Sequence, residues 1–189
     1  MSLLLNSLAT ITPILADAAD AGANLPPAPP ADIPFFDQRA LIYAAAFMSI
    51  GFAAIGSAYG CGAASCSAMG AWKKCYAQNK PAPFQLLVFA GAPLSQVIYG
   101  MIIMFIILGK AEVTHAAWMV YLFVGIVGGV AMGISSLWQG ISGGAACDAF
   151  AENGKGFTNQ LMALGIVETV AIFVMAFAIV LLSKVGLAA

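Results

Sequence analysis

Apolar positions run almost unbroken through four stretches of this chain, roughly 40–72, 84–109, 117–147 and 160–186, and polar positions gather between them. Each stretch exceeds the about 20 residues a helix needs to cross a bilayer core. None alternates with a period of two, and all are continuous and rich in Ala and Gly, so strands are excluded and four transmembrane helices are expected. The first and third are longer than a crossing requires, which predicts tilt or extension beyond the lipid. The connectors 73–83 (KKCYAQNKPAP), 110–116 (KAEVTHA) and 148–159 (DAFAENGKGFTN) are short. The chain therefore reads as an all-α membrane protein of two tandem helical hairpins, 40–110 and 116–187.

The hairpins repeat one another. Gln85-Leu86-Leu87 matches Gln160-Leu161-Met162 at an offset of 75, which sets Pro93 opposite Glu168. Ile55-Gly56-Ser57-Ala58-Tyr59-Gly60 resembles Ile134-Ser135-Ser136-Leu137-Trp138-Gln139 with a different connector length between. Both copies run in the same direction, so the repeat is parallel rather than inverted. Only the second copy keeps an acid. Residues 1–39 stand apart: an apolar stretch from Met1 to Leu15, an Ala16-Asp17-Ala18 step and the Pro-rich run LPPAPPADIP. An apolar core with an A-x-A-like end fits a signal peptide, while the missing basic start fits a retained short apolar helix equally. The Pro-rich run is an extended linker in both cases.

Composition agrees with the pattern. The chain is 62% hydrophobic and only 8% charged, against about 25% charged in soluble domains. Seven basic residues in 189 exclude a nucleic-acid surface. Lys73, Lys74 and Lys80 fall in a connector without acids, which places 73–83 on the cytoplasmic side and, by alternation, 148–159 there too. Four cysteines form no Cys-x-x-Cys pair and accompany a single His115. They are expected as small thiols filling helix contacts, not as metal ligands. Gly56 and Gly60, then Gly125, Gly129 and Gly133, then Gly140 and Gly144 recur at four-residue spacing on the first and third spans. Small residues let helix backbones approach closely. Glycine-lined helices in equivalent positions suggest an inner wall repeated by oligomerisation into a ring, with the bulkier second and fourth spans facing lipid.

Few strongly polar side chains lie deep in the spans: Ser95, Gln96 and Tyr99 in the second, Gln139 in the third, Glu168 and Thr169 in the fourth. An ionisable group at membrane depth costs roughly 2.5–3.5 kcal/mol on insertion scales and usually faces a protein interior or an ion path. Counted from the loop 73–83 side, Gln139 and Glu168 each lie ~13 Å in and Ser95 and Gln96 ~17 Å in, at 1.5 Å per residue. All occupy one layer near mid-membrane. Pro93 removes a helix donor and displaces the carbonyl of Phe89, so carbonyls near 89–92 become free to turn toward a cation. Tyr99, one turn past Ser95, reaches the same face. A carboxylate, two amide oxygens, a hydroxyl and a freed carbonyl form an oxygen set suited to a monovalent hard cation. The single carboxylate balances one Na+ or one H+.

These residues resemble the duplicated four-helix proteolipid (subunit K, or c) of V-type rotary ATPases. Ala92-Pro93-Leu94-Ser95-Gln96-Val97-Ile98-Tyr99-Gly100 is similar to that family's L-P-G-T-Q-x-x-Y-G, Ser136-Leu137-Trp138-Gln139-Gly140 to its S-x-x-x-Q-G, and Ile166-Val167-Glu168-Thr169 to its M-V-E-T. The resemblance covers about residues 40–186, with three motifs in order on the corresponding helices. The resemblance implies a rotor ring of several copies that is not an enzyme on its own. It also implies a stator protein with an essential arginine, central-stalk proteins on the cytoplasmic side and a bacterial-type plasma membrane. In the sodium-binding bacterial branch the matching positions supply ligands: the Ala92 carbonyl, Ser95, Gln96, Gln139 and Glu168, with Tyr99 hydrogen-bonded to the carboxylate. Ser95 replaces the pattern's Thr and keeps its hydroxyl; Leu94 replaces Gly, and Ala92 replaces Leu.

The expected function is thus an ion-carrying rotor component of an ATPase or synthase, with Na+ favoured over H+ because a proton leaves two glutamines and Ser95 surplus. A small channel or secondary transporter is the alternative; a lone carboxylate and the absence of inverted symmetry weigh against it. A purely structural scaffold leaves Glu168 unexplained.

Overall fold

The computed structural model describes residues 37–111 and 115–185. The apolar N-terminal stretch and the Pro-rich linker lie outside the described residues, as do 112–114 and 186–189. Among the described residues there is no strand, and four helices are long and apolar enough to cross a membrane: α1 (Gln38–Ala77), α2 (Leu86–Ala111), α3 (Trp118–Asn153) and α4 (Phe157–Lys184). The all-helical, four-span expectation is met.

Helix ends differ from the apolar boundaries. α1 continues through Lys73 and Lys74 to Ala77, and α3 continues through Asp148 and Glu152 to Asn153. A helix satisfies its own backbone in water as well as in lipid, so it runs past the point where apolar sequence stops. At 1.5 Å per residue α1 is about 60 Å long, twice the hydrocarbon thickness of about 30 Å. Asp37 caps α1, its carboxylate accepting from Arg39 N–H at 2.9 Å. The second hairpin turns within three residues, and Gly154 (φ 67°) and Gly156 (φ 79°) make this possible by adopting left-handed backbone. The longer first turn is tied to α1 by Trp72, whose indole N–H donates to the Pro83 carbonyl at 2.7 Å. Both turns lie at one end: Lys74 pairs with Asp148 at 3.7 Å.

α1 and α3 form the closest pair. The expected Gly faces are spent on this contact inside one chain: Gly56 meets the Gly133 backbone, and Gly140 meets the Gly60 backbone. They therefore pack a protomer and do not by themselves argue for a ring. Between such helices lipid supplies no hydrophobic drive, because its tails are as apolar as Leu; close packing and interhelical hydrogen bonds hold the pair. Gly140→Leu would drive a side chain into the Gly60 backbone. It is expected to cost at least the about 1–3 kcal/mol of an overpacked core and to lower the thermal midpoint in detergent by several degrees. Gly109→Leu, at a position with open space, should leave that midpoint nearly unchanged.

Two apolar clusters fill the bundle. One holds Phe89, Phe150, Phe157 and Leu164 near the turns, its three rings 5.2–6.3 Å apart. The other holds Ile103, Ile107, Tyr121, Met132 and Ala171 toward the opposite end. Residues 96, 139 and 168 fall between them on their respective helices. The cysteines divide: Cys75 and Cys147 are buried as expected, Cys61 is half-buried, and Cys66 is exposed.

Candidate ion-binding site

α2 is broken where Pro93 predicts. Its α-helical hydrogen bonding gives way to a 3-10 turn over Ala92–Leu94 and resumes at Ser95. The displaced Phe89 carbonyl does not join the polar layer. It packs against α3 at Gly143, where an added Cβ would stand 2.7 Å from it. Ala92 supplies the carbonyl beside the polar side chains instead, because the tightened turn brings the Ser95 hydroxyl to it at 3.1 Å.

From there one chain of contacts crosses three helices. The Ser95 hydroxyl lies 3.2 Å from Gln96 Oε1, to which it donates. Gln96 Nε2 donates to Gln139 Oε1 at 2.8 Å. Gln139 Nε2 donates to Glu168 Oε2 at 3.2 Å and to the Leu164 carbonyl at 3.3 Å. The Tyr99 hydroxyl donates to Glu168 Oε1 at 2.7 Å. Gln96 and Gln139 are fully buried, and no side-chain polar atom of this group is both buried and without a partner. A network this complete in low dielectric is mutually reinforcing.

All six expected residues, Ala92, Ser95, Gln96, Tyr99, Gln139 and Glu168, thus stand in one cluster. Thr169 stands outside it: exposed, it donates to the Ile166 carbonyl at 2.6 Å. α4 meets the bundle along a narrow seam of Leu164, Ala171 and Ala178. Glu168 lies four residues after Leu164 and three before Ala171, so its carboxylate flanks that seam and stays partly buried. Three serines complete the surroundings. Ser135 donates to the Val167 carbonyl at 2.8 Å, Ser136 to the Pro93 carbonyl at 2.7 Å, and Ser57 contacts Ser136 at 2.8 Å. Sequence reading misses their part, since serine is common in spans; their signal is that Ser57 and Ser136 occupy equivalent places in the repeat.

The donor set offers carbonyl, hydroxyl, amide and carboxylate oxygens with a single negative charge. In the arrangement seen, N–H and O–H donors converge on the carboxylate and satisfy it. Rotation of the two amides would present oxygens in their place. The set suits a monovalent cation better than a transition metal, and among the described residues no group of three His, Cys, Asp or Glu gathers.

Four spans around a buried polar layer, with one carboxylate in that layer among the described residues, define an integral multi-pass membrane protein. Residues 122–181 match the family model for the C subunit of ATP synthase. No curated protein matches the chain. The family match spans nearly all of α3 and α4, the hairpin bearing Gln139 and Glu168, and less than half of the chain. It supports a proteolipid family: a rotor-ring component of ATP synthase-type complexes, assembled as an oligomer with the other proteins of the complex. Such a component translocates ions and is not an enzyme by itself.

Proposed function

We propose that this chain is the duplicated proteolipid, subunit K or c, of a V-type ATPase or synthase, and that it carries one Na+ per protomer on Glu168. The observation that supports it best is one chain of contacts, within one protomer, that links the Ala92 carbonyl, the Ser95 hydroxyl and two amides to a single carboxylate that Tyr99 also holds. A proton would need the carboxylate and one acceptor; the fully buried Gln96 and Gln139 supply far more. The ligands would be the Ala92 carbonyl, Ser95, Gln96, Gln139 and Glu168, with Tyr99 holding the second carboxylate oxygen. The carboxylate releases its ion where it meets water or a cation, and the resemblance to the V-type proteolipid supplies a stator arginine as that cation. The turns 73–83 and 148–159, at one end and carrying four lysines, face the cytoplasm of a bacterial-type cell and the central stalk. In a small channel or transporter, by contrast, the purified chain alone would conduct.

Modification by a hydrophobic carbodiimide tests the cation. Carbodiimides attack a carboxyl that is open and protonated. At fixed pH, Na+ should slow labelling of Glu168 in the purified ring at least tenfold, while K+ or choline at equal ionic strength should not. Equal labelling with and without Na+ would sink the sodium assignment and leave H+ as the cargo.

A further inference from the structure

Ser57 and Ser136 are 2% and 0% exposed and touch no charged group. Each hydroxyl has one proton. The Ser136 proton goes to the Pro93 carbonyl, which only accepts, so in the Ser57–Ser136 contact Ser57 must donate. The result is a directed relay, Ser57 to Ser136 to the Pro93 carbonyl, running from α1 through α3 to the kink of α2. It fixes the peptide between Pro93 and Leu94, inside the 3-10 turn that aims the Ala92 carbonyl and the Ser95 hydroxyl. Ser136 also lies one turn before Gln139 on α3, so a single helix face holds both the kink and the amide that meets Gln96. Gly60 completes the platform. A Cβ there would meet the Ser136 carbonyl and stand 3.1 Å from the Pro93 ring, so only glycine lets α1 approach the kink this closely.

Resting on the sodium reading above, we propose that Ser57 and Ser136 are positioning residues for the ion site, and that α1, the first helix of the first copy, has become its scaffold. The repeat alignment supports the division. Where the second copy has Gln139 the first has Gly60, and where the second has Glu168 the first has Pro93; the serine is retained in both copies. The first copy has no carboxylate or α1 amide at the equivalent places; its α1 instead holds α2, which supplies the Ala92 carbonyl, Ser95 and Gln96, in the shape the site requires.

The test uses the assembled ring and reads the Na+ concentration that half-protects Glu168 from carbodiimide. Ser57→Ala, at a residue that touches no candidate ligand, should raise that concentration about tenfold, the low end of what outer-shell changes cost a metal site. Ser136→Ala should do at least as much. The double variant should be no worse than Ser136→Ala alone, because one relay is broken once; two independent packing defects would instead add. Ring yield and thermal midpoint without Na+ should change little, and Ser57→Thr should restore protection. Unchanged half-protection in Ser57→Ala, with the unsubstituted ring still protected, overturns the relay and leaves the site reading intact. Additive losses in the double variant overturn it as well. Absence of Na+ protection in the unsubstituted ring removes the sodium reading and the relay with it.

Discussion

Replacing Glu168 by Gln is expected to abolish ATP-driven cation uptake by the reconstituted complex, a fall of at least a hundredfold to background, while the ring still forms. The side chain keeps its size, and its amide oxygen still accepts from Tyr99, whose hydroxyl now sits 2.7 Å from the carboxylate. Only the charge is lost. Assembly should not suffer, because membrane insertion of an acid costs roughly 2.5–3.5 kcal/mol that a neutral amide largely escapes. Cation binding should fail, since five neutral oxygens cannot balance a monovalent ion taken out of water, whose desolvation alone costs several kcal/mol. Uptake of labelled Na+ into vesicles, beside native mass spectrometry of the ring, separates the two effects. Uptake at the unsubstituted rate would make Glu168 an ornament of a structural scaffold and end the ion-carrying reading. A ring that no longer assembles would show the carboxylate to be a packing element instead.

The cluster around Glu168 was open to sequence reading because a helix rises by a fixed amount per residue. Counting inward from the ends of three apolar stretches set Ser95, Gln96, Gln139 and Glu168 at one depth, and the fold brings their side chains into contact. The helix ends themselves depart unequally from those stretches, α3 running on to Asn153, α4 starting at Phe157 and α2 starting only at Leu86. The counts were taken from where apolar sequence stops, and those points, not the helix ends, put the four residues at one depth. Other features had no such ruler. Proline chemistry predicts that the Phe89 carbonyl is freed, but which freed carbonyl turns to the site depends on what α3 offers at Gly143 and Ser136. Glycine spacing announces a close helix contact without naming the partner; the partner is α3 of the same chain for α1. The serine relay follows from three helices meeting at one kink, a relation that one-dimensional spacing does not contain.

The direction of each amide bond was likewise invisible, and it leads to the second large effect. Gln139 stands at the junction of the network, accepting from Gln96 through Oε1 and donating to Glu168 through Nε2. Gln139→Leu keeps the bulk and removes both functions. Glu168 loses a charge-assisted donor, worth about 1.5–3 kcal/mol, and fully buried Gln96 is left with an unpaired amide N–H, a penalty of about 1–3 kcal/mol. The candidate cation loses an oxygen ligand at the same time. Taking only the lost oxygen ligand as felt in binding, at the about 1.5–3 kcal/mol of a contact to a charged group and about 1.4 kcal/mol per tenfold, Na+ affinity should fall by about 10- to 100-fold. Sodium titration of carbodiimide protection reads that number directly. A proton needs neither amide, so the variant ring should still load H+, and its transport should move toward proton coupling at low Na+. The opposite pattern, Na+ affinity preserved with proton loading impaired, would mean that Gln139 serves the protonated carboxyl and that the amides are not cation ligands.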